Sequence, residues 1–276
     1  RRGMYLTFRL AAWEYETAEF HIYADGKRIA QIGKHDATNY LDKKGDLHTR
    51  YEIKKVTNGK EEEHGYIAKN LAHNYFDLPI NKPADYKAPD GAIYSYTAND
   101  ASVADLDGDG EYELILKWDC AGRDNSHAGY SGPVFLDAYK LDGRMLWRID
   151  LGRNIRAGAH YTQFMVYDFD GDGYAEMIVK TADGTRDAAG NYVGDKTKDY
   201  RNREGFIIEG PEYLSLFDGR YGTLLDTIPY DPPRGNIADW GDSWGNRVDR
   251  FLACVAYLDG IHPSAVMCRG YYDHGR

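Results

Sequence analysis

The sequence has few cysteines and no long apolar run. Three cysteines occur in 276 residues, Cys120, Cys254 and Cys268, and this odd number indicates neither a disulfide framework nor a zinc site. Cys254 and Cys268 lie in segments that we predict to be core strands, where thiols are often buried. No segment approaches the ~18 apolar residues that a membrane-spanning helix needs. These absences argue against a disulfide-rich scaffold and against a helical membrane protein.

Positive charge is also scarce. The formal net charge of −10 makes nucleic acid, itself a polyanion, an unfavourable partner. The chain begins with Arg1 and has no leader-like segment, so we expect a processed or truncated product, and export stays open. Tyrosine and glycine are abundant, with 24 Tyr and 30 Gly. This composition favours an all-β chain with many tight turns.

Two acidic segments share one pattern. Residues 105–113 read Asp-Leu-Asp-Gly-Asp-Gly-Glu-Tyr-Glu, and residues 168–176 read Asp-Phe-Asp-Gly-Asp-Gly-Tyr-Ala-Glu. Carboxylates at positions 1, 3, 5 and 9 supply the oxygen ligands that Ca²⁺ takes, and the two glycines allow a sharp turn. We predict two calcium loops. The predicted ligands are Asp105, Asp107, Asp109, Glu111 and Glu113 in the first, Asp168, Asp170, Asp172, Tyr174 and Glu176 in the second, and Asp100 ahead of the first.

The flanks of both segments are short and apolar. Residues 102–104 and 114–118 enclose the first segment, and residues 165–167 and 177–181 enclose the second. Both therefore indicate a strand, a loop and a strand, whereas an EF-hand loop lies between helices. A third apolar frame around Asp259 keeps only that acid, so no metal site is predicted there.

Residues 1–70 predict a separate β-sandwich module of the immunoglobulin or fibronectin kind. Short alternating runs are separated by turn signals, of which Asp25-Gly26 and Asn58-Gly59 are the strongest because both favour primed hairpin turns. Residues 71–89 contain three prolines and little apolar content, which is typical of a linker.

Residues 90–276 predict part of a β-propeller. An Asp-Gly hairpin follows each acidic segment, at Asp142-Gly143 and at Asp218-Gly219. A strand pair plus a hairpin makes four strands, which is one blade. There is room for about two blades and the start of a third. A propeller needs at least about four blades, so we expect the front part of a longer protein.

Several polar residues fall outside the repeat pattern. If the first acidic loop closes a tight hairpin, Asn99 and Asp119 meet at one rim. Arg156 and His160 lie in a stretch rich in hydrogen-bond donors. We predict substrate contacts for Arg156 and His160. Alternatively, Arg156 pairs with a blade carboxylate and His160 caps a turn.

A second polar stretch, residues 234–247, interleaves Asp, Asn and Trp. Asp239 and Asp242 are further candidate metal ligands, although ordinary turn roles fit them as well. Trp240 and Trp244 fit packing between blades or a platform that stacks on sugars.

At this point the sequence resembles a known family. The runs 99–119, 136–168, 180–185, 210–214, 234–236, 239–242 and 246–251 resemble the catalytic domain of family 11 rhamnogalacturonan lyases. The resemblance implies an eight-bladed propeller with bound Ca²⁺ that cleaves the rhamnose–galacturonate backbone of pectin by β-elimination. It implies substrate contacts at Asn99 and Asp119. It also implies that the residues of the proton chemistry lie on later blades, so no catalytic residue is assigned.

The same resemblance implies the setting. We expect an extracellular or cell-surface protein that acts on rhamnogalacturonan I, an acidic plant cell-wall polysaccharide, and that is a monomer at full length. Two alternatives stay open: a non-catalytic pectin-binding propeller, and an adhesion-type propeller in which calcium is purely structural.

Overall fold

The computed structural model describes residues 3–10, 14–73, 75 and 77–271. These residues form an all-β protein with nineteen strands and a short 3-10 helix at Ile237–Trp240. The chain divides into two compact units, Arg1–Asp77 and Leu78–Arg276. None of the described helices is long and apolar enough to span a membrane.

The described residues of the first unit form seven strands in two sheets. Its strands are β1 (Met4–Thr7), β2 (Ala18–Ala24), β3 (Lys27–Ile32), β4 (Asn39–Asp42), β5 (Tyr51–Thr57), β6 (Lys60–Glu61) and β7 (Tyr66–Ile67). β2 lies between β3 and β5, and β6 and β7 pair with β5, while β1 pairs with β4. The alternate residues Ala18, Phe20 and Ile22 of β2 are buried, as expected for a strand with one covered face. Leu6 of β1 joins Phe20 and Ile53 in one apolar core.

Both predicted hairpin turns of this unit are confirmed. Asp25 and Gly26 join β2 to β3 with φ of 50° and 79°, and Asn58 and Gly59 join β5 to β6 with φ of 51° and 76°. Two successive positive φ angles are the signature of a primed turn, whose twist matches that of the strands it connects.

Twelve strands lie in the described part of the second unit, residues 78–271. They are β8 (Tyr86–Lys87), β9 (Ile93–Tyr94), β10 (Tyr96–Ala104), β11 (Glu113–Cys120), β12 (Phe135–Tyr139), β13 (Met145–Asp150), β14 (Phe164–Tyr167), β15 (Glu176–Ala182), β16 (Glu212–Asp218), β17 (Leu224–Pro229), β18 (Phe251–Ala256) and β19 (Ser264–Arg269). Strands β10 to β13 form one antiparallel sheet in chain order, and β14 to β17 form a second. β18 pairs with β19, and β8 with β9. The acidic segment and the Asp-Gly hairpin thus do build four strands per repeat.

One apolar cluster joins the two four-stranded sheets. Ile115, Leu136 and Ile149 of the first sheet share it with Met177 and Phe217 of the second, and none of these five side chains is exposed. Apolar residues alternate along the strands, so one set faces the neighbouring sheet. Leu106 of the first acidic segment belongs to the same cluster.

The prediction of buried thiols at Cys254 and Cys268 is wrong. Cys254 is exposed and Cys268 is half-buried, whereas Cys120 is buried. Cys254 shares a face of β18 with Leu252, which is also exposed. That face is not covered by the described part of the chain, so apolar sequence alone did not decide burial.

Candidate functional site

The first acidic loop connects β10 to β11 and is closed by its own carboxylates. Asp105 accepts hydrogen bonds from the backbone N–H groups of Gly108 (2.7 Å) and Gly110 (2.8 Å). Glu113 accepts one from Leu106 (2.7 Å). Both glycines have positive φ, 73° and 85°, which turns their N–H groups inward at little steric cost.

The second acidic loop connects β14 to β15 and repeats this arrangement. Asp168 accepts from the N–H groups of Gly171 (2.7 Å) and Gly173 (3.0 Å), and Glu176 accepts from Phe169 (2.9 Å). The correspondence holds atom by atom although the two sequences differ at positions 2, 7 and 8. One loop design therefore occurs twice.

Each loop brings three carboxylates together. One oxygen from every member lies within 4.8 Å of the others in two groups: Asp105, Asp107 and Glu113; and Asp168, Asp170 and Glu176. Oxygen-only donor sets at this spacing suit a hard cation such as Ca²⁺. Either group could hold a metal ion.

The charges of the second loop show what a cation would relieve. Burial raises the pKa of Glu176, and the negative charges of Asp170, Asp172 and Asp168 raise it further. Like charges this close disfavour one another's ionisation. A divalent cation among these oxygens would offset that repulsion.

The first loop already holds a positive group. The ammonium of Lys140, which follows β12, lies 2.8 Å from Asp107, 2.8 Å from Asp109 and 2.7 Å from Glu113. Burial opposes its charge, but these three hydrogen bonds outweigh burial and raise the pKa of Lys140. Its position among the carboxylates marks where a cation is favoured.

The two loops also contact each other. The N–H of Ala175 donates to the backbone carbonyl of Asp105 at 2.9 Å. The ring of Tyr174 lies against Gly108 so closely that a Cβ there would be 2.8 Å from it. Tyr174 thus connects the loops by packing.

All the predicted metal ligands stay predictions, since the structure shows only which of the carboxylates lie close together. The residues at positions 5 and 7 of each loop lie outside the two groups of close carboxylates. They are Asp109, Glu111, Asp172 and Tyr174. Asp100 lies within β10, five residues before the first loop, and its carboxylate accepts from the N–H of Ala101 (3.0 Å).

Asn99 and Asp119 lie at the end of the β10–β11 hairpin away from the acidic loop. Thr97 stands opposite Asp119, and the register shifts between Ala98 and Ala101. Asn99 is exposed in this bulge. The strand bends at a bulge, which redirects side chains. The structure therefore places both predicted contact residues at one rim.

Asp119 is buried and poorly satisfied. Its Oδ1 atom has no hydrogen-bond partner among the residues that the structure describes. Burial raises its pKa, Lys117 opposes this rise and Asp100 adds to it. A buried carboxylate oxygen left without a donor is costly, so such a group is suited to receive a hydroxyl of a ligand.

Lys117 is a residue that sequence reasoning missed. Its side chain is fully buried, and its ammonium donates to the backbone carbonyl of Thr162 at 3.3 Å. Burial lowers its pKa, and the carboxylates of Asp119 and Asp100 oppose that effect. The sequence did contain a signal for this residue. A lysine occurs within the apolar strand after each acidic segment, as Lys117 in the first sheet and Lys180 in the second.

Arg156 lies differently from the carboxylate pairing that the sequence left open for it. Arg156 is buried and donates to the backbone carbonyls of Gly205 and His127, both at 2.7 Å, and it stacks on Phe206. His160 is half-buried, and burial lowers its pKa. Arg156 thus binds carbonyls rather than a blade carboxylate. The substrate contacts predicted for both residues stay predictions.

The stretch 234–247 is a folded turn. Asp242 accepts from the backbone N–H groups of residues 244, 245, 246 and 247, at 3.1, 2.7, 3.2 and 2.8 Å. Trp240 is buried and donates to the carbonyl of Arg234 (2.8 Å), whereas Trp244 is exposed. The carboxylate of Asp242 therefore has a structural role in the turn, and Trp240 is a packing residue.

A buried ionic cluster was also not foreseen. Glu212 pairs with Lys180 (2.8 Å), Arg234 (2.9 Å) and Arg269 (2.8 Å). Burial opposes ionisation of Glu212, but these three charges outweigh it and lower its pKa. Lys180, Arg234 and Arg156 line an adjoining cavity of about 20 Å³, a volume that fits roughly one water molecule.

Fold and site together define an all-β protein in which each of two four-stranded sheets carries, between its first two strands, an acidic loop suited to a cation. Residues 75–275 match the family described as "Rhamnogalacturonan lyase family 11, C-terminal domain". Residues 1–70 match "Rhamnogalacturonan I lyases beta-sheet domain". The chain belongs to rhamnogalacturonan lyase family 11.

Two curated relatives come from Bacillus subtilis (strain 168). The chain is 54% identical over 272 residues to the rhamnogalacturonan exolyase YesX and 53% identical over 271 residues to the rhamnogalacturonan endolyase YesW. Each match covers 98% of this chain but 44% of the relative. The chain thus spans less than half the length of these relatives.

Solved structures agree with these matches. The crystal structure of the exotype lyase YesX superposes with a TM-score of 0.85 at 54% identity, covering 98% of this chain and 45% of that one. The Bacillus licheniformis rhamnogalacturonan lyase PL11 gives 0.85 at 55% identity, covering 99% and 47%. Both the sequence and the backbone of the described units are therefore those of this family.

Proposed function

We propose that this chain is part of a calcium-dependent lyase that cleaves the rhamnose–galacturonate backbone of rhamnogalacturonan I by β-elimination. The observation that carries the proposal is its 53–54% identity, over 98% of its length, to a named exolyase and a named endolyase. The chain is about as identical to the exolyase as to the endolyase. The proposal therefore names the bond that is cleaved and does not say whether cleavage is internal or at chain ends.

The proposed architecture is a β-sandwich module at residues 1–70, a linker at 71–89 and propeller blades from residue 90 onward. Two four-stranded antiparallel sheets in chain order, with a shared apolar core, support the blade assignment. The first strands of these two sheets, β10 and β14, contact each other, and β14 also contacts β18 of the next strand pair.

Calcium is the proposed cofactor, held by the two acidic loops. Bound at these loops, Ca²⁺ would supply fixed positive charge that lets an acidic protein approach an acidic polymer. The chain's own part is to hold the carboxylates in place through backbone N–H groups. Extracellular calcium concentrations suit loops of this kind, which supports export.

Asn99 and Asp119 are the proposed sugar contacts. An exposed amide and a buried, unsatisfied carboxylate oxygen at one rim offer a donor and acceptors for sugar hydroxyls. His160 and Arg156 are proposed to complete this surface, Arg156 by fixing the backbone at Gly205 and His127. No catalytic base is assigned to the chain.

The decisive experiment places this chain in an active enzyme. The aligned 272-residue stretch of YesX is replaced by this chain, and rhamnogalacturonan I cleavage is followed through the ultraviolet absorbance of the unsaturated uronate product. We expect cleavage in calcium and its loss in chelator, with homogalacturonan as the matched control substrate. A folded chimera that forms no unsaturated product in calcium would contradict the proposal.

A further inference from the structure

The two acidic loops differ in the residue that stands opposite their last carboxylate. In the second sheet Glu176 lies directly opposite Asp218. In the first sheet Leu114 lies opposite Tyr139, so the same antiparallel register puts Lys140 opposite Glu113. An acid and a base therefore occupy equivalent places in two otherwise matching loops.

In the first loop this base, Lys140, forms ion pairs with the loop's carboxylates. The ammonium of Lys140 contacts Asp107, Asp109 and Glu113 at 2.7–2.8 Å. Its side chain is only 12% exposed, and that of Glu113 is not exposed. Three charge-assisted hydrogen bonds in a partly buried setting are strong contacts.

The second loop has no comparable group. Within the described ranges, no ion pair joins Asp168, Asp170 or Glu176 to a basic side chain. Asp218 occupies the sheet position that corresponds to Lys140. Its carboxylate forms an ion pair with Arg220 (2.9 Å) and accepts hydrogen bonds from the backbone N–H groups of Arg220 and Tyr221.

We infer that Lys140 is the resident counter-ion of the first loop, so that calcium must displace it there and binds more tightly at the second loop. The inference rests on the proposed calcium function. A single charge on Lys140 neutralises carboxylates that a divalent ion would otherwise use, and a like charge a few ångströms away repels that ion. At the second loop the neighbouring base, Arg220, feels the charge of Asp172 but is paired with Asp218, and among the described residues it forms no ion pair with the loop's own carboxylates.

The test is calorimetric titration of the chelator-treated chain with CaCl₂. Asp170→Asn should remove the tighter binding class, and Asp107→Asn the weaker one. Lys140→Gln should tighten the weaker class by on the order of tenfold and leave the tighter class unchanged. Lys198→Gln, which removes an exposed lysine of the same unit, should change neither.

Either of two results would overturn the inference. One is an unchanged or weakened first loop in Lys140→Gln, and the other is loss of the tighter class in Asp107→Asn. Calcium binding without any Lys140 effect removes this inference alone. Absence of calcium binding at both loops removes the calcium part of the proposed function with it.

A second measurement uses the unsubstituted chain and so does not depend on the folding of a variant. Lysines are labelled with an amine reagent in chelator and in saturating calcium, and the sites are quantified by mass spectrometry. Labelling of Lys140 should rise several-fold in calcium, with Lys198 as the internal reference. An unchanged Lys140 signal at full calcium occupancy contradicts displacement.

Discussion

At the residue scale, two buried aspartates of one sheet have opposite surroundings. Asp137 accepts from Trp118 (2.8 Å), Tyr139 (2.8 Å) and twice from Arg148 (2.6 Å each). Asp119 leaves one oxygen unsatisfied. A buried carboxylate whose oxygens all accept hydrogen bonds, such as Asp137, stabilises the fold. A buried carboxylate with an unpaired oxygen, such as Asp119, is a candidate for ligand contact.

We predict that Asp119→Asn weakens binding of rhamnogalacturonan I oligosaccharides about 10- to 100-fold, the usual value of a hydrogen bond to a charged group. The unfolding free energy should change by less than about 1 kcal/mol, because Oδ1 of Asp119 has no hydrogen bond within the described chain that the substitution could break. Oligosaccharide titration and urea unfolding measure the two effects separately.

Asp137→Asn is the matched control. It should cost about 3 kcal/mol of unfolding free energy, since it breaks a buried ion pair, and should act on oligosaccharide binding only through stability. If Asp119→Asn lost as much stability as Asp137→Asn, Asp119 would be a structural residue and its proposed contact role would fail.

At the scale of the element, the two acidic loops are tight turns that pack against each other through Gly108 and Tyr174. Gly108 and Gly110 both require positive φ. A Cβ at Gly108 would meet the Tyr174 ring at 2.8 Å, whereas one at Gly110 would meet no atom within 4 Å. The same residue type in one loop therefore serves two purposes.

We predict that Gly108→Ala lowers the unfolding free energy more than Gly110→Ala does. Both variants carry the left-handed strain of about 1 kcal/mol. Only Gly108→Ala adds overpacking against Tyr174, for about 1–3 kcal/mol more. Urea midpoints of the two variants in chelator test this, and equal midpoints would show that the loops do not press on each other.

At the scale of the whole molecule, buried tyrosines set an alkaline limit. Burial raises the pKa values of Tyr51, Tyr139, Tyr161 and Tyr230 to about 12. Since each folded pKa lies above the ordinary value of about 10, the folded state keeps protons that the unfolded state loses. Stability is therefore unaffected below pH 10 and falls as pH rises from 10 toward 12.

We predict that tyrosinate absorbance rises in two stages in an alkaline titration. One group of tyrosines ionises while the fold is intact, and a second group ionises only together with the loss of the far-ultraviolet circular dichroism signal. A full tyrosinate signal while the β-sheet spectrum is still intact would contradict the burial of these four rings.

Local features of the fold could be predicted from the sequence because they depend on neighbouring residues. The Asp25-Gly26 turn needs only positive φ at two positions, and residues 105–113 need only alternating acids with glycines between them. The flanking apolar runs correctly gave a strand on each side of both acidic loops. The all-β class followed from these short-range patterns.

Only the tertiary structure decided which distant groups meet. Lys140 reaches Glu113 from 27 residues away, Glu212 gathers bases from three separate segments, and Cys254 lies on an uncovered face. Such outcomes depend on strand register and on which sheet faces are covered, and both are set by long-range packing. The sequence by itself determined the loops and the turns, and the packing of the sheets determined their charge partners.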